Sequence, residues 1–138
     1  YEAVFGPLNF AFTAGDVRFL CLNTNALEYD YSEPVPDFGF MERELKNMPA
    51  MVKKTIFLMH VKPYELVFNN NVAQAFEAYI TEFPGVQFCL YGHEHKFQAD
   101  DLFGDGVIYY QCPNIAKRQY LIFTINDDDT YRYEIKSF

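Results

Sequence analysis

This sequence of 138 residues has no tryptophan, only three histidines and only three cysteines. The cysteines form an odd number without paired spacing, and Cys21 and Cys89 lie inside apolar runs. Free cysteine in such surroundings behaves as a small buried hydrophobic residue. We therefore predict that all three, including Cys112, are reduced and structural rather than bonded in disulfides or to a metal.

Basic residues are also scarce, 11 against 19 acidic residues, and the net charge is -8. Proteins that bind nucleic acid or anionic membranes need a basic surface, so this balance argues against both kinds of partner. No apolar run in the sequence reaches the roughly 18 residues of a membrane-spanning helix. The field of the whole protein repels phosphate esters, so any recognition of phosphate has to be local, through metal ions.

Apolar and alternating runs predict eight strands, and two amphipathic runs predict helices. The predicted strands are residues 10–14, 17–23, 55–59, 86–91, 96–100, 107–111, 120–125 and 131–135, and the predicted helices are residues 40–48 and 72–83. Residues 28–39 contain two prolines and are predicted to form a loop. The asparagines at 69–71 are N-cap candidates for the second helix.

The predicted fold class is α/β, in the sense of an α+β mixture within one domain. A helix separates strands 55–59 and 86–91, so we expect these strands to be parallel neighbours in a central β-α-β unit. The strands predicted in the last forty residues are expected to pair in an antiparallel way. Phenylalanine and tyrosine, with 15 and 11 copies, supply a large area for a core.

The three histidines follow two of the predicted strands. His60 ends the first strand of the β-α-β unit, and His93 and His95 come directly after its second strand. In open α/β sheets, side chains just past the carboxyl ends of strands meet in one crevice, so we expect these histidines to lie close together. We predict that they are metal ligands rather than three unrelated histidines satisfied by hydrogen bonds.

The residues around the last two histidines carry further expectations. Gly92 has no Cβ, so we expect it to allow a tight strand-end conformation and a close approach of the backbone to a metal. Glu94 lies between His93 and His95 and, by strand-like alternation, is expected to point away from them.

These stretches resemble the C-terminal half of the calcineurin-like metallophosphoesterases, a family of dinuclear metal hydrolases. The resemblance rests on Phe5-Gly6-Pro7, Phe10-Ala11-Phe12, residues 17–24, His60-Val61-Lys62-Pro63 and Gly92-His93-Glu94-His95. It implies the C-terminal half of a layered sandwich, with His60 and His93 on one metal ion and His95 on the other. It also implies that a hydroxide held between the metals attacks phosphorus.

The first half of that family supplies three further elements, Asp-x-His, Gly-Asp-x-x-Asp and Gly-Asn-His-Asp/Glu, and none of them occurs in this sequence. They furnish the bridging carboxylate, several other ligands and the proton donor. We therefore expect residues 1–138 to form a partial metallophosphoesterase domain that lacks its N-terminal metal-binding half. The start at Tyr1 without an initiator methionine adds to the expectation of a fragment, a processed chain or one half of a split protein.

The implied function is hydrolysis of phosphomonoesters or phosphodiesters by the complete protein, with two divalent metal ions. Imidazole ligands favour Mn, Fe, Zn or Ni over Mg or Ca. No residue of this chain is assigned as a catalytic acid or base, and we expect the chain alone to bind metal weakly or not at all and to be inactive. Lys62 is a candidate for binding a phosphate oxygen of the substrate as a point charge, and the alternative is an ordinary surface lysine.

Two other functions stay open. One is a non-catalytic scaffold of the same fold that binds another protein, because a half-domain is expected to expose an apolar patch suited to a missing half or to self-association. The other is a mononuclear structural zinc site, which needs all three histidines within ~2.0–2.1 Å of one ion and a fourth ligand. The sequence carries no indication of cellular location.

Overall fold

A computed structural model describes residues 2–26 and 34–138 of the chain. The α-helices are α1 (Glu2–Phe5), α2 (Phe38–Lys46) and α3 (Ala73–Glu82). The strands are β1 (Phe10–Ala14), β2 (Val17–Leu22), β3 (Lys54–Met59), β4 (Val86–Tyr91), β5 (Gln98–Asp101), β6 (Ile108–Gln111), β7 (Gln119–Ile125) and β8 (Tyr131–Ser137). Short 3-10 helices lie at Asn70–Val72 and Ile115–Lys117.

A mixed sheet of six strands, in the order β1-β2-β3-β4-β6-β5, forms the centre of the fold. Strands β2, β3, β4 and β6 are parallel, and the edge strands β1 and β5 are antiparallel to their neighbours. Strands β7 and β8 form a separate antiparallel sheet. The mixed α/β class predicted from the sequence is therefore confirmed.

The predicted β-α-β unit is also confirmed. Strands β3 and β4 are parallel neighbours, with Phe57 beside Cys89 and Leu58 beside Leu90, and α3 connects them. The prediction for the later strands is only partly right. Strand β5 takes the outer edge of the sheet and β6 returns between β5 and β4, so β6 is antiparallel to β5 but parallel to β4.

Helix α2 begins two residues before its predicted start because Asp37 caps it. The Asp37 carboxylate accepts a hydrogen bond of 2.9 Å from the backbone N–H of Phe40, which satisfies one of the free donors at the helix start. The helix ends at Lys46, ahead of Pro49. Half of the predicted loop 28–39, residues 28–33, lies outside the described residues.

The asparagines expected to cap α3 do not cap it. Among the described residues, no side chain makes a cap hydrogen bond at Asn69, before the 3-10 turn, or at Val72, before the helix. The Asn70 amide instead accepts a hydrogen bond of 2.8 Å from the N–H of Tyr64 and donates one of 2.9 Å to the carbonyl of Glu65. Asn70 therefore stabilises the turn that follows His60.

The two faces of the six-stranded sheet pack against different elements. Helices α2 and α3 cover one face through a core that includes Leu20, Met41, Phe57, Val61, Phe76, Ile80 and Tyr109. The β7-β8 hairpin covers part of the other face, where the ring of Phe88 lies 4.4 Å from that of Phe123 and 4.7 Å from that of Tyr131. Aromatic contacts thus attach the hairpin to the centre of the sheet.

The β1 end of this second face is apolar and exposed. Phe12 stacks on Phe19 with ring centroids 4.8 Å apart, yet Phe10 and Phe12 remain 46% and 45% exposed. An apolar surface of the expected kind is therefore present at this edge of the sheet. Of the helices in the described ranges, none has the length and apolar character needed to cross a membrane.

Candidate metal centre

His60 and His93 lie side by side just past the carboxyl ends of the parallel strands β3 and β4. The Nε2 atom of His60 is 3.4 Å from the Nδ1 atom of His93. The two rings are nearly perpendicular, at 88°, with centroids 5.3 Å apart. Because His60 is exposed and His93 is partly exposed, the two nitrogens converge at the protein surface.

The separation of these nitrogens suits two ligands of one metal ion. Imidazole–zinc bonds of ~2.0–2.1 Å at a tetrahedral angle place two ligand nitrogens about 3.3–3.4 Å apart. As a hydrogen bond between the rings, the distance is long, because donors and acceptors usually lie ~2.7–3.2 Å apart. His60 and His93 therefore fit a shared metal ion.

The backbone brings the two histidines together. The N–H of Gly92 donates a hydrogen bond of 3.1 Å to the carbonyl of His60, which joins the ends of the two strands. His93 and His95 then take up left-handed backbone conformations, with φ of 77° and 59°. Residues with a Cβ seldom adopt this conformation, although histidine does so more often than most. Strained backbone of this kind is concentrated at functional sites in proteins.

The reasons for two expectations about the motif do not hold, whereas a close approach of the Gly92 backbone to a metal stays a prediction. A Cβ at Gly92 would lie 3.7 Å from Nδ1 of His60 and 4.0 Å from its carbonyl oxygen, which are ordinary contacts, and its φ lies outside the left-handed region. Strand-like alternation does not continue through residues 93–95, because the left-handed residues turn the chain. Glu94 nevertheless interacts elsewhere, since its carboxylate pairs with Lys96 at 2.6 Å.

His95 is exposed and does not join His60 and His93 in a larger cluster. In residues 2–26 and 34–138, no group of three or more histidine, cysteine, aspartate or glutamate side chains lies close enough to hold a metal ion. The structure thus brings together two of the three predicted ligands. The mononuclear zinc alternative needs a three-histidine group that these residues do not form. The assignment of His95 to a second ion stays a prediction.

Lys62 is buried, with 8% of its surface exposed, so the alternative of an ordinary surface lysine is wrong. Its ammonium nitrogen lies 3.2 Å from a carboxylate oxygen of Asp100 and 3.6 Å from one of Glu65. The same nitrogen lies 5.5 Å from the centre of the Tyr91 ring. Two carboxylates thus already compensate the charge, and a contact of Lys62 with substrate phosphate stays a prediction.

A row of polar side chains that was not predicted from the sequence lies beside this site. Tyr91, Gln111 and Gln98 are neighbours across strands β4, β6 and β5. Among the described residues, the Tyr91 hydroxyl, Oε1 of Gln98 and both amide atoms of Gln111 are buried without a hydrogen-bond partner. Burial raises the pKa of Tyr91, and the nearby Asp100 raises it further, so its hydroxyl stays protonated. The signal for this row in the sequence was two glutamines, Gln98 and Gln111, each with apolar or aromatic neighbours in the chain.

The three cysteines are free, as predicted. Burial raises the pKa of Cys21 and raises that of the fully buried Cys89 further, which keeps both thiols protonated. Protonated, buried thiols are poor nucleophiles and poor metal ligands.

No protein-family model and no curated protein matches this chain. The features of the chain that indicate a function are the histidine pair, its position at the strand ends and the motifs around it.

Proposed function

We propose that this chain is the C-terminal segment of a dinuclear, metal-dependent phosphoesterase, as its resemblance to the calcineurin-like family implies. The observation that carries the proposal is the 3.4 Å approach of the His60 and His93 nitrogens. These residues are 33 positions apart in the chain, and they meet where open α/β sheets bind ligands.

The chemistry of the donors supports the proposal. Two divalent metal ions, when bound, neutralise charge on the phosphate oxygens and lower the pKa of a bound water. Neutral imidazoles suit Mn, Fe, Zn or Ni better than Mg or Ca. In this scheme His60 and His93 hold one ion and His95 belongs to the other. The net charge of -8 repels free phosphate esters, so the ions have to attract the substrate locally.

Two imidazoles do not complete a metal shell, because catalytic zinc sites usually have three protein ligands. Within the described ranges, no further histidine, cysteine or carboxylate makes the pair a group of three. As the resemblance implies, we expect the remaining ligands, including the carboxylate that bridges the ions, to come from the N-terminal half of the family's domain. The chain alone should bind metal weakly and hydrolyse phosphate esters poorly.

Calorimetric titration of the 138-residue chain with Zn²⁺ tests the histidine pair. We expect one weak site, which His60→Ala and His93→Ala each abolish because each removes one of its two ligands. His95→Ala is the matched control and should leave this site intact. Zn²⁺ binding that is the same in all four proteins would contradict the proposed site.

An activity assay tests the reaction class. The protein at its natural length is purified with Mn²⁺ and assayed with p-nitrophenyl phosphate and bis(p-nitrophenyl) phosphate. We expect hydrolysis of at least one ester and its loss in His93→Ala. If the metal-loaded protein hydrolyses neither ester, the phosphoesterase assignment fails.

A second candidate is a non-catalytic scaffold that binds another protein, and the exposed aromatic residues of β1 favour it. Contiguous exposed apolar surface marks interaction sites in soluble proteins. Under this alternative, replacing Phe10 and Phe12 with serine abolishes association with the partner or with a second copy, whereas His93→Ala leaves it unchanged. Sedimentation velocity over a range of concentrations measures the association.

A further inference from the structure

We infer that Lys62 is a positioning residue for the His60–His93 pair, a role that rests on the proposed metal-binding function. Lys62 follows His60 by two residues, just past the end of β3. Its buried ammonium contacts one residue from each of the strands that flank His93, which are Tyr91 in β4 and Asp100 in β5.

The first contact holds the His60 segment against β4. The ammonium lies 5.5 Å from the centre of the Tyr91 ring, and Tyr91 ends β4 two residues before His93. A cation at this distance is attracted to the face of an aromatic ring, and the attraction grows when water is excluded. Tyr91 is 3% exposed, so this contact lies in the protein interior.

The second contact joins the His60 segment to β5. The ammonium nitrogen of Lys62 donates a hydrogen bond of 3.2 Å to Oδ2 of Asp100. The amide of Gln98 donates one of 2.6 Å to the same oxygen, which fixes the carboxylate. Strand β5 begins three residues after His95. The ion pair therefore spans the turn that contains both His93 and His95.

The third contact, with Glu65, gives the ammonium of Lys62 a second carboxylate that compensates its charge. Oε1 of Glu65 lies 3.6 Å from the ammonium, and the N–H of Glu65 donates to the carbonyl of Lys62 at 3.4 Å. One ammonium and two carboxylates, those of Glu65 and Asp100, leave the cluster with a net charge of one negative unit. A phosphate oxygen at Lys62 would meet this excess negative charge, whereas a positioning role needs no free positive charge.

Zn²⁺ titrations of substituted chains test the inference. Lys62→Met keeps an unbranched side chain, one atom shorter, and removes its charge. Because groups that orient metal ligands typically change metal affinity ~10–100-fold, we expect Lys62→Met to weaken Zn²⁺ binding by such a factor and Lys62→Arg to restore part of it. Asp100→Asn removes the main partner of Lys62 and serves as the second variant if Lys62→Met does not fold.

Lys54→Met is the matched control. Lys54 is also buried and pairs with Asp16 at 3.0 Å, but it begins strand β3, whereas Lys62 lies just past the other end of that strand. We expect Lys54→Met to lower the stability of the fold and to leave Zn²⁺ affinity unchanged. If both substitutions change Zn²⁺ affinity equally, Lys62 has only a general structural role.

A metal-independent measurement separates this inference from the proposed function. In the metal-free protein, nuclear Overhauser effects between the imidazoles of His60 and His93 should be present in the wild type and in Lys54→Met, and absent in Lys62→Met. A wild type that shows these effects, with Zn²⁺ binding that His60→Ala and His93→Ala leave unchanged, refutes the metal site and leaves the positioning role standing. Unchanged effects and unchanged Zn²⁺ affinity in Lys62→Met overturn the positioning role. If Lys62→Met loses binding of inorganic phosphate and changes nothing else, the positioning role is also overturned, and Lys62 is an anion contact.

Discussion

The hydroxyl of Tyr109 in β6 donates a hydrogen bond to the carboxylate of Glu77 in α3, inside the core. Both residues are buried, and Oε1 of Glu77 has no hydrogen-bond partner among the described residues. Burial raises the pKa of Glu77 to about 7, against the hydrogen bond from Tyr109, which lowers it. The negative charge of Asp105 raises the pKa further.

The raised pKa predicts that stability falls as pH rises. The ordinary pKa of this carboxyl is 4.5, so between 4.5 and about 7 the folded chain binds more protons than the unfolded chain. Protonated Glu77 therefore contributes about 3 kcal/mol to the free energy of unfolding. The contribution is fully present below pH 4.5 and is lost as pH rises through 7.

Glu77→Gln should remove this dependence, because an amide does not titrate. Urea unfolding on the acidic and alkaline sides of neutrality measures the free energy of unfolding in both proteins. The exposed Glu82, on the same helix, provides the control Glu82→Gln, which should behave like the wild type. If wild type and Glu77→Gln lose equal stability on going to alkaline pH, the buried carboxyl is not responsible.

The left-handed backbone at His95 predicts an unusual order of stability for two substitutions. Because this conformation costs a residue with a Cβ roughly 1 kcal/mol more than glycine, His95→Gly should be about that much more stable than His95→Ala. Urea denaturation measures both variants. The same two substitutions at Glu94, which is not left-handed, should show no advantage for glycine. Greater stability of His95→Ala would mean that this turn has another conformation in solution.

Gly85 should be the glycine least tolerant of substitution. It has φ of 54° between α3 and β4, and a Cβ there would lie 2.1 Å from the backbone carbonyl oxygen of Lys53. Alanine at this position forces the backbone at the start of β3 to move. Gly15 is also left-handed, but its Cβ direction is open, so Gly15→Ala has only the backbone cost of ~1–2 kcal/mol.

Thermal or urea unfolding of both alanine variants measures this difference. We expect Gly85→Ala to lose several times more stability than Gly15→Ala, or to fail to fold. Equal losses in the two variants would contradict the close approach of Gly85 to Lys53.

The β-α-β unit was predictable because its two strands are continuous apolar runs separated by a helical pattern. The position of β6 was not, because the sequence of a short strand does not say whether its partner precedes or follows it along the chain. The start of helix α2 also could not be predicted accurately from the sequence. Its apolar rhythm begins at Phe40, whereas its actual start depends on the Asp37 cap.

The histidine pair was predictable because parallel neighbours end at the same edge of a sheet, so His60 and His93 were expected to meet. The left-handed conformation of His93 was not predicted. Local propensity favours glycine for such a position, yet Gly92, whose N–H donates to the carbonyl of His60, is not left-handed. The burial of Lys62 depends on Asp100, 38 residues away, and local sequence carries no sign of it.

Strand β3 has a buried lysine at or just beyond each of its ends, with Lys54 paired to Asp16 and Lys62 paired to Asp100. A slip of β3 by one residue along its neighbours would turn its core side chains to the opposite face. It would also pull both ammonium groups from their carboxylates, and a buried charge without a partner is strongly destabilising. The two ion pairs therefore select one alignment of strand β3 with its neighbours. This alignment fixes the position of His60 relative to His93.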